Sequence, residues 1–156
     1  MKIIVANGAI FIALMIARVG LLIAGESGLF DAFFAQVSLP STLDLIIQRP
    51  WSLITYFFLH IEVFHLIFNM MFLYWFGTII QDFIGNKRLV QLFFYGGLAG
   101  AAAFILAMNT VSFFIAKGPN FLNGASAGVF AVVVAAATIR PNYQVHLLLL
   151  GQVRIK

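Results

Sequence analysis

Two short groups of polar residues in a mostly apolar chain have the residue types and spacings that chemistry would need. The first consists of His60, His65 and Asn69. His65 and Asn69 are four residues apart and would share one face of a helix. His60 lies about 140° from His65 around an ideal helix, so it is expected to precede the helix or to point elsewhere. The pair on one face could donate hydrogen bonds to a buried negative charge, or the two groups could satisfy each other or a neighbouring helix.

The second group is Gly124-Ala-Ser126-Ala-Gly128, a G-x-S-x-G match. In soluble hydrolases this pattern forms a nucleophile elbow between a strand and a helix. Here it opens an apolar helix, which excludes that fold. Its small residues could still let a substrate backbone approach the Ser126 hydroxyl, and free N–H groups at a helix start can stabilise an oxyanion. The alternative is that the small residues serve close helix packing.

The histidines do not have a metal-binding spacing. A zinc-binding H-E-x-x-H pattern places both histidines on one helical face, with the glutamate next to the first. In His60-x-Glu62-x-x-His65 the spacing differs. The chain also has no cysteine, which removes thiolate nucleophiles and cysteine-based metal sites. Neither a metal ion nor a cofactor is predicted.

Composition places these residues in a membrane protein. Of 156 residues, 63% are hydrophobic and 9% are charged, and the mean hydropathy is +1.05. A soluble domain has about 45–50% apolar and about 25% charged residues. The nine basic residues are scattered between long apolar runs and form no basic groove, so the expected partner is a lipid bilayer and not nucleic acid.

Four apolar stretches have about the length that a membrane-spanning helix needs. They lie at about residues 3–24, 63–84, 89–108 and 121–139. Residues 25–62 form a connector whose apolar patch, residues 51–59, is too short to span and is expected in the interface or against the bundle. Residues 141–156 are interpreted as an interfacial turn leading toward a further span. A cleaved signal peptide is disfavoured because Arg18 interrupts the first stretch.

These stretches predict an all-α fold, a polytopic transmembrane helix bundle in which residues 1–156 form one membrane domain. With a cytoplasmic N-terminus, six basic residues lie inside and two outside, which is the arrangement that the positive-inside rule favours. The second and fourth spans then enter from the outer face. Asn69 and Ser126 would each lie roughly 7–10 Å below the start of their spans, at matching depth. The spacing of Gly96 and Gly100 predicts helix packing in the third span.

Taken together, these features resemble the rhomboid family of intramembrane serine proteases. The resemblance covers about residues 50–140. It rests on Trp51 and Thr55 in the connector, H-x4-H-x3-N over residues 60–69, a glycine pattern ending the second span, the glycine-rich third span and G-x-S-x-G. H-x4-H-x3-N followed by G-x-S-x-G at the same depth is specific, whereas each half alone is weak.

The resemblance implies a six-span core with a serine–histidine dyad in a water-filled cavity that opens outward. It implies that Ser126 is the nucleophile and that His65 and Asn69, with the Ser126 N–H, line the oxyanion hole. Gly124 matches the glycine two residues before the nucleophile, and His60 matches a histidine near the site with a less direct role. The general-base histidine of the family lies on the sixth span and is absent from these 156 residues.

Three departures from the family pattern stand out. Ser52 occupies the place of an arginine, and Gln81 that of an acidic residue, with Asp82 beside it. The missing base is the largest departure. His146 cannot replace it on a continuous helix, because a rise of about 30 Å separates it from Ser126.

The expected function is intramembrane serine endopeptidase activity on peptide bonds in or near the transmembrane segments of protein substrates. The chain is interpreted as a C-terminally incomplete piece of such a protease, with four of six spans, that is inactive alone. The alternative is a catalytically dead rhomboid-like protein that binds membrane helices, and a third reading is a packing module of a transporter or complex. The expected location is a prokaryotic plasma (inner) membrane.

Overall fold

A computed structural model describes residues 2–139, 144–147 and 151–154. Three long helices dominate it. They are α1 (Lys2–Ile23), α5 (Val63–Ile84) and α6 (Asn86–Thr110). Each is long and apolar enough to cross a membrane. A shorter apolar helix, α8 (Ser126–Ile139), packs against α5 and α6. The predicted all-α, polytopic helix bundle is confirmed.

The second and third spans are separated by a sharp stop. Helix α5 ends where Gly85 adopts φ +86°, a left-handed conformation that glycine tolerates without strain. Helix α6 then begins at once, at Asn86, three residues before the expected start, so that Lys87 and Arg88 lie in its first turn. Gln81 donates a hydrogen bond to the Asn86 side chain across this corner.

The predicted fourth span, residues 121–139, was wrong at its N-terminal end. Phe121–Leu122 is a short strand, β2, that pairs antiparallel with β1 (Leu39–Pro40) of the connector. Its backbone groups therefore bond across to the connector, and Gly124 (φ +112°) makes the turn into α8. The 14 residues of α8 rise about 21 Å, less than the roughly 30 Å of a bilayer core.

The connector folds into several short elements. They are α2 (Ser27–Val37), β1, α3 (Leu43–Gln48), α4 (Ser52–Thr55) and a 3₁₀ turn (Tyr56–Phe58). Two side chains tie α4 to the end of α2: Trp51 Nε1 donates to the Gln36 carbonyl at 2.9 Å and Thr55 Oγ1 to the Val37 carbonyl at 2.6 Å. The apolar patch at residues 51–59 thus lies against the bundle, with Trp51 half-exposed.

Small residues bring α8 and α6 into close contact. Built Cβ atoms on Gly96 and Gly100 would overlap the side chains of Ala131 and Ala127. On the α8 side, a Cβ on Gly128 would lie 2.5 Å from the Phe93 carbonyl oxygen. The glycine stripe is therefore a packing surface that holds α8 at backbone distance from α6.

Residues 141–156 include extended backbone where an interfacial turn was expected. The strands β3 (Gln144–Leu147) and β4 (Gly151–Arg154) pair antiparallel, with His146 opposite Gln152. Residues 144–147 alternate polar and apolar, which is the period of a strand and not of a helix. The rest of the predicted turn lies outside the described residues. One further short helix, α7 (Ser112–Ile115), follows α6.

Candidate active site

His60 lies at the junction between the connector and α5, two residues after the end of the 3₁₀ turn, and its side chain is fully buried. Its Nε2 accepts the backbone N–H of Ala125 at 3.3 Å and lies 3.3 Å from Asn69 Nδ2. Both neighbours are donors, so this nitrogen carries the lone pair and Nδ1 carries the proton. Nδ1 has no hydrogen-bond partner among the described residues.

Burial lowers the pKa of His60 to about 4, with the neighbouring His65 ring as a second, smaller cause. The carbonyl of Phe58 acts weakly in the opposite direction. The imidazole is therefore neutral at pH 7, the state in which Nε2 can accept hydrogen bonds. His60 acts as a fixed acceptor that joins α5 to the residue before Ser126.

Asn69 is buried one turn below His65 on α5. Its Nδ2 donates to the His65 carbonyl at 3.0 Å, and its second proton faces His60 Nε2. Both protons of the amide thus have partners in this structure. An oxyanion-stabilising role for Asn69 requires its amide to turn away from one of them.

The His65 ring stacks edge-on against His60, with ring centroids 5.1 Å apart. Its other neighbour is the backbone of Gly124. A Cβ on Gly124 would lie 2.7 Å from His65 Cε1 and 3.2 Å from Nε2, and the φ of +112° is unfavourable for any other residue. Glycine is therefore needed at position 124 for two separate reasons, and it places the imidazole of His65 against the segment that leads into Ser126.

Ser126 is the first residue of α8, and its side chain is exposed. Its hydroxyl has no hydrogen-bond partner within the described part of the chain. The backbone N–H groups of Ser126 and Ala127 have no backbone acceptor there either, as expected for the first turn of a helix. An unengaged hydroxyl and two free N–H donors thus occupy the same end of α8.

Two further sets of bonds fix this end of α8, and sequence reasoning missed both. The Gly124 N–H donates to the Tyr56 carbonyl at 2.9 Å, while the Tyr56 hydroxyl donates to the Gly97 carbonyl at 2.6 Å. The residues joined by each of these hydrogen bonds are far apart in the sequence, so no local sequence pattern could have predicted the bonds.

The second set centres on Ser41 of the connector. Its N–H donates to the Asn120 carbonyl at 2.9 Å, and its hydroxyl accepts the Asn120 N–H at 3.0 Å. Asn109, at the end of α6, donates to the Ser41 carbonyl at 2.8 Å. The connector and α6 together hold the strand that precedes the G-x-S-x-G segment.

The structure thus brings together His60, His65, Asn69 and Gly124 at the start of α8, where Ser126 lies. The backbone of His146 is in β3, beyond the opposite end of α8. Residues described by the structure include no group of three His, Asp or Glu side chains that could hold a metal ion. The geometry places a serine hydroxyl beside backbone N–H groups that can donate hydrogen bonds to an anion, and no described side chain makes a hydrogen bond to the Ser126 hydroxyl.

Comparison with known proteins points to one family. The family model of the rhomboid domain matches residues 48–152. The chain is 27% identical over 148 residues to the RHOMBOID-like protein 12, mitochondrial, of Arabidopsis thaliana, covering 88% of this chain and 44% of that protein. It is 28% identical over 149 residues to the Rhomboid-like protein 16, chloroplastic, of the same plant, covering 88% and 46%. The chain therefore spans less than half the length of these relatives. No solved structure matches it significantly.

Proposed function

Because this chain belongs to the rhomboid family and is a multi-pass membrane protein, we propose that the protein of which it forms part is an intramembrane serine endopeptidase. Ser126 would attack a peptide carbonyl in or near a transmembrane segment of a substrate protein. The observation that carries the proposal is the contact of Gly124 and Ala125 with His65 and His60, which joins the start of α8 to the polar face of α5.

The developing oxyanion would be met by donors that already lie close together. The free N–H groups of Ser126 and Ala127 are fixed by the helix, and the His65 ring lies against the Gly124 backbone. Asn69 would join them after its amide leaves the His60 nitrogen. One such donor typically contributes about 3–4 kcal/mol to transition-state stabilisation.

The general base would come from outside the described residues. His60 does not suit this role, because its Nε2 is already occupied by Ala125 and Asn69. The face of α8 that carries Ser126 continues through Phe130 and Val134, which are 68% and 49% exposed. A further helix packed on this face would stand next to the Ser126 hydroxyl and could present the histidine that the family resemblance implies.

The short α8 supports a site below the membrane surface. If its lower end reaches the inner interface, Ser126 lies roughly 9 Å short of the outer edge of the hydrocarbon core. We infer that the N-terminus faces the cytoplasm, so that this end of α8 and the connector face outward. Water would reach Ser126 through a cavity lined by the polar residues at this end.

The test is labelling of the full-length protein with a fluorophosphonate, which reacts only with an activated serine. Ser126→Ala should abolish labelling, and the control Ser112→Ala, in the exposed α7, should label like the parent. Equal labelling of parent and Ser126→Ala would remove Ser126 from the mechanism. A full-length protein that is folded, binds transmembrane peptides and never labels would instead be a catalytically dead binder.

A further inference from the structure

A cavity of about 380 Å³ lies on the outer side of the bundle, between α1, α2 and the segment before α8. Five of its lining residues are polar. They are Arg18 of α1, Asp31 of α2, Ser38 just after α2, and Asn120 and Asn123 before α8. The Ser38 hydroxyl already donates to the Phe34 carbonyl. Aromatic and aliphatic side chains of α2 and of the two segments that border the site complete the wall. The cavity therefore combines an apolar floor with charges of both signs.

The two charges in this cavity are not paired with each other. The Arg18 guanidinium lies 5.8 Å above the centroid of the Phe30 ring, a cation–π contact, and neither Arg18 nor Asp31 makes an ion pair with any described residue. The side chain of Asn123 also makes no hydrogen bond within the described residues. A ligand here would meet a free guanidinium donor, a free carboxylate acceptor and a free amide.

The cavity borders the candidate active site directly. Ile61, which follows the buried His60, forms one part of the wall, and Asn123, which precedes Gly124, forms another. An extended peptide advances about 3.3 Å per residue. A peptide whose scissile bond reached Ser126 would therefore carry a side chain over this cavity within a few residues of the bond.

We propose that this cavity is a specificity pocket, with Arg18 and Asp31 as its determinants, for a neutral polar side chain of the substrate, the amide of Gln or Asn. This rests on the proposed protease function. The amide oxygen would accept from Arg18, and its N–H would donate to Asp31. Asp31 would repel an acidic side chain, and Arg18 would repel a basic one. An aliphatic side chain would leave both charges desolvated and without partners.

The test uses the full-length protein in phosphatidylcholine vesicles with transmembrane peptide substrates. Each position within six residues of the scissile bond carries Gln, Glu, Lys or Leu in turn, and kcat/KM is measured. At one position Gln should exceed Leu by about tenfold, the value of one charge-assisted hydrogen bond. At that position, Arg18→Gln should raise the ratio of kcat/KM for the Lys peptide to that for the Glu peptide by about tenfold. Asp31→Asn should shift the same ratio in the opposite direction, toward the Glu peptide. The controls Lys117→Gln and Asp44→Asn, which remove charges outside the cavity, should keep the parent's ranking.

Unchanged ranking in both Arg18→Gln and Asp31→Asn would overturn the proposal. The proposal would also be overturned if the two substitutions changed kcat/KM equally for all four peptides, and only when phosphatidylethanolamine is added. That result would assign the cavity to a zwitterionic lipid headgroup. If the parent protein cleaves none of the peptides, the proposed protease function is refuted, and the pocket is then tested by binding alone. The same peptides are then titrated onto Ser126→Ala, where equal binding of all guests refutes the pocket and the charge-dependent ranking supports it.

Discussion

The buried His60 provides the sharpest test of how the site is held together. Replacing it with phenylalanine keeps an aromatic ring and removes the acceptor for Ala125 and Asn69. Each buried donor left without an acceptor costs about 1–3 kcal/mol. Since the two donors share one nitrogen, we expect His60→Phe to destabilise the protein by about 2–4 kcal/mol. The start of α8 would lose its link to α5.

The effect of pH gives the same prediction an independent signature. The folded-state pKa of His60 is about 4 and the unfolded value is 6.5. Because the folded value is the lower one, the stabilisation from the neutral ring is complete above about pH 6.5 and disappears as the pH falls toward 4. The loss at pH 4 amounts to roughly 3 kcal/mol. The His60→Phe variant has no such group and should lack this component of the pH dependence.

The assay is equilibrium unfolding of the full-length protein in mixed micelles between pH 4 and 8, with fluorophosphonate labelling at each pH. At pH 7, His60→Phe should be less stable and should label about tenfold more slowly or worse, because a small misplacement of reacting groups is costly. His60→Gln, whose side-chain oxygen can accept an N–H, should lie between the two. If His60→Phe matches the parent in stability and labelling, the imidazole does not hold α8 and the reasoning fails.

Three other predictions follow from the geometry. Gly124→Ala should reduce labelling by at least about tenfold, because its Cβ would strike an imidazole and φ +112° costs about 1–3 kcal/mol for alanine; an unaffected variant would show that the close approach is absent. Asn69→Ala should lower kcat more than it raises KM, since an oxyanion donor acts in the transition state, and a change in KM alone would refute that role. In the cysteine-free chain, Gln48→Cys should react with an impermeant thiol reagent from outside and Asn86→Cys only from inside; the reverse would invert the inferred topology.

Local sequence patterns were sufficient to predict a helix such as α5. The apolar run after Glu62 and the glycine at position 85 indicate where α5 begins and ends. These signals lie within the helix itself or next to it in the sequence. The predicted fourth span failed for the complementary reason. Phe121 and Leu122 are as apolar as the helix that follows them, and only the connector strand, some 80 residues earlier in the chain, makes them extended.

The candidate site divides in the same way. The shared face of His65 and Asn69 could be derived from their spacing, and the structure has both on α5. The central position of His60 could not, because its partner Ala125 is 65 residues away. A local pattern can show that His60 precedes the helix. Which backbone N–H donates to its ring nitrogen depends on how the connector packs on α8.

The connector would allow α8 to begin below the membrane surface, as we propose. Non-helical backbone at membrane depth is tolerated only where other parts of the protein satisfy its N–H and C=O groups. Residues 120–125 meet this condition through bonds to Ser41, to the Tyr56 carbonyl, to His60 and to β1. Asn109 in turn fastens Ser41 to α6. Under the proposed function, the short α8 would place Ser126 below the membrane surface, and the folded connector satisfies the backbone groups that precede the helix. The depth of the proposed nucleophile and the structure of the connector would then have to be maintained together.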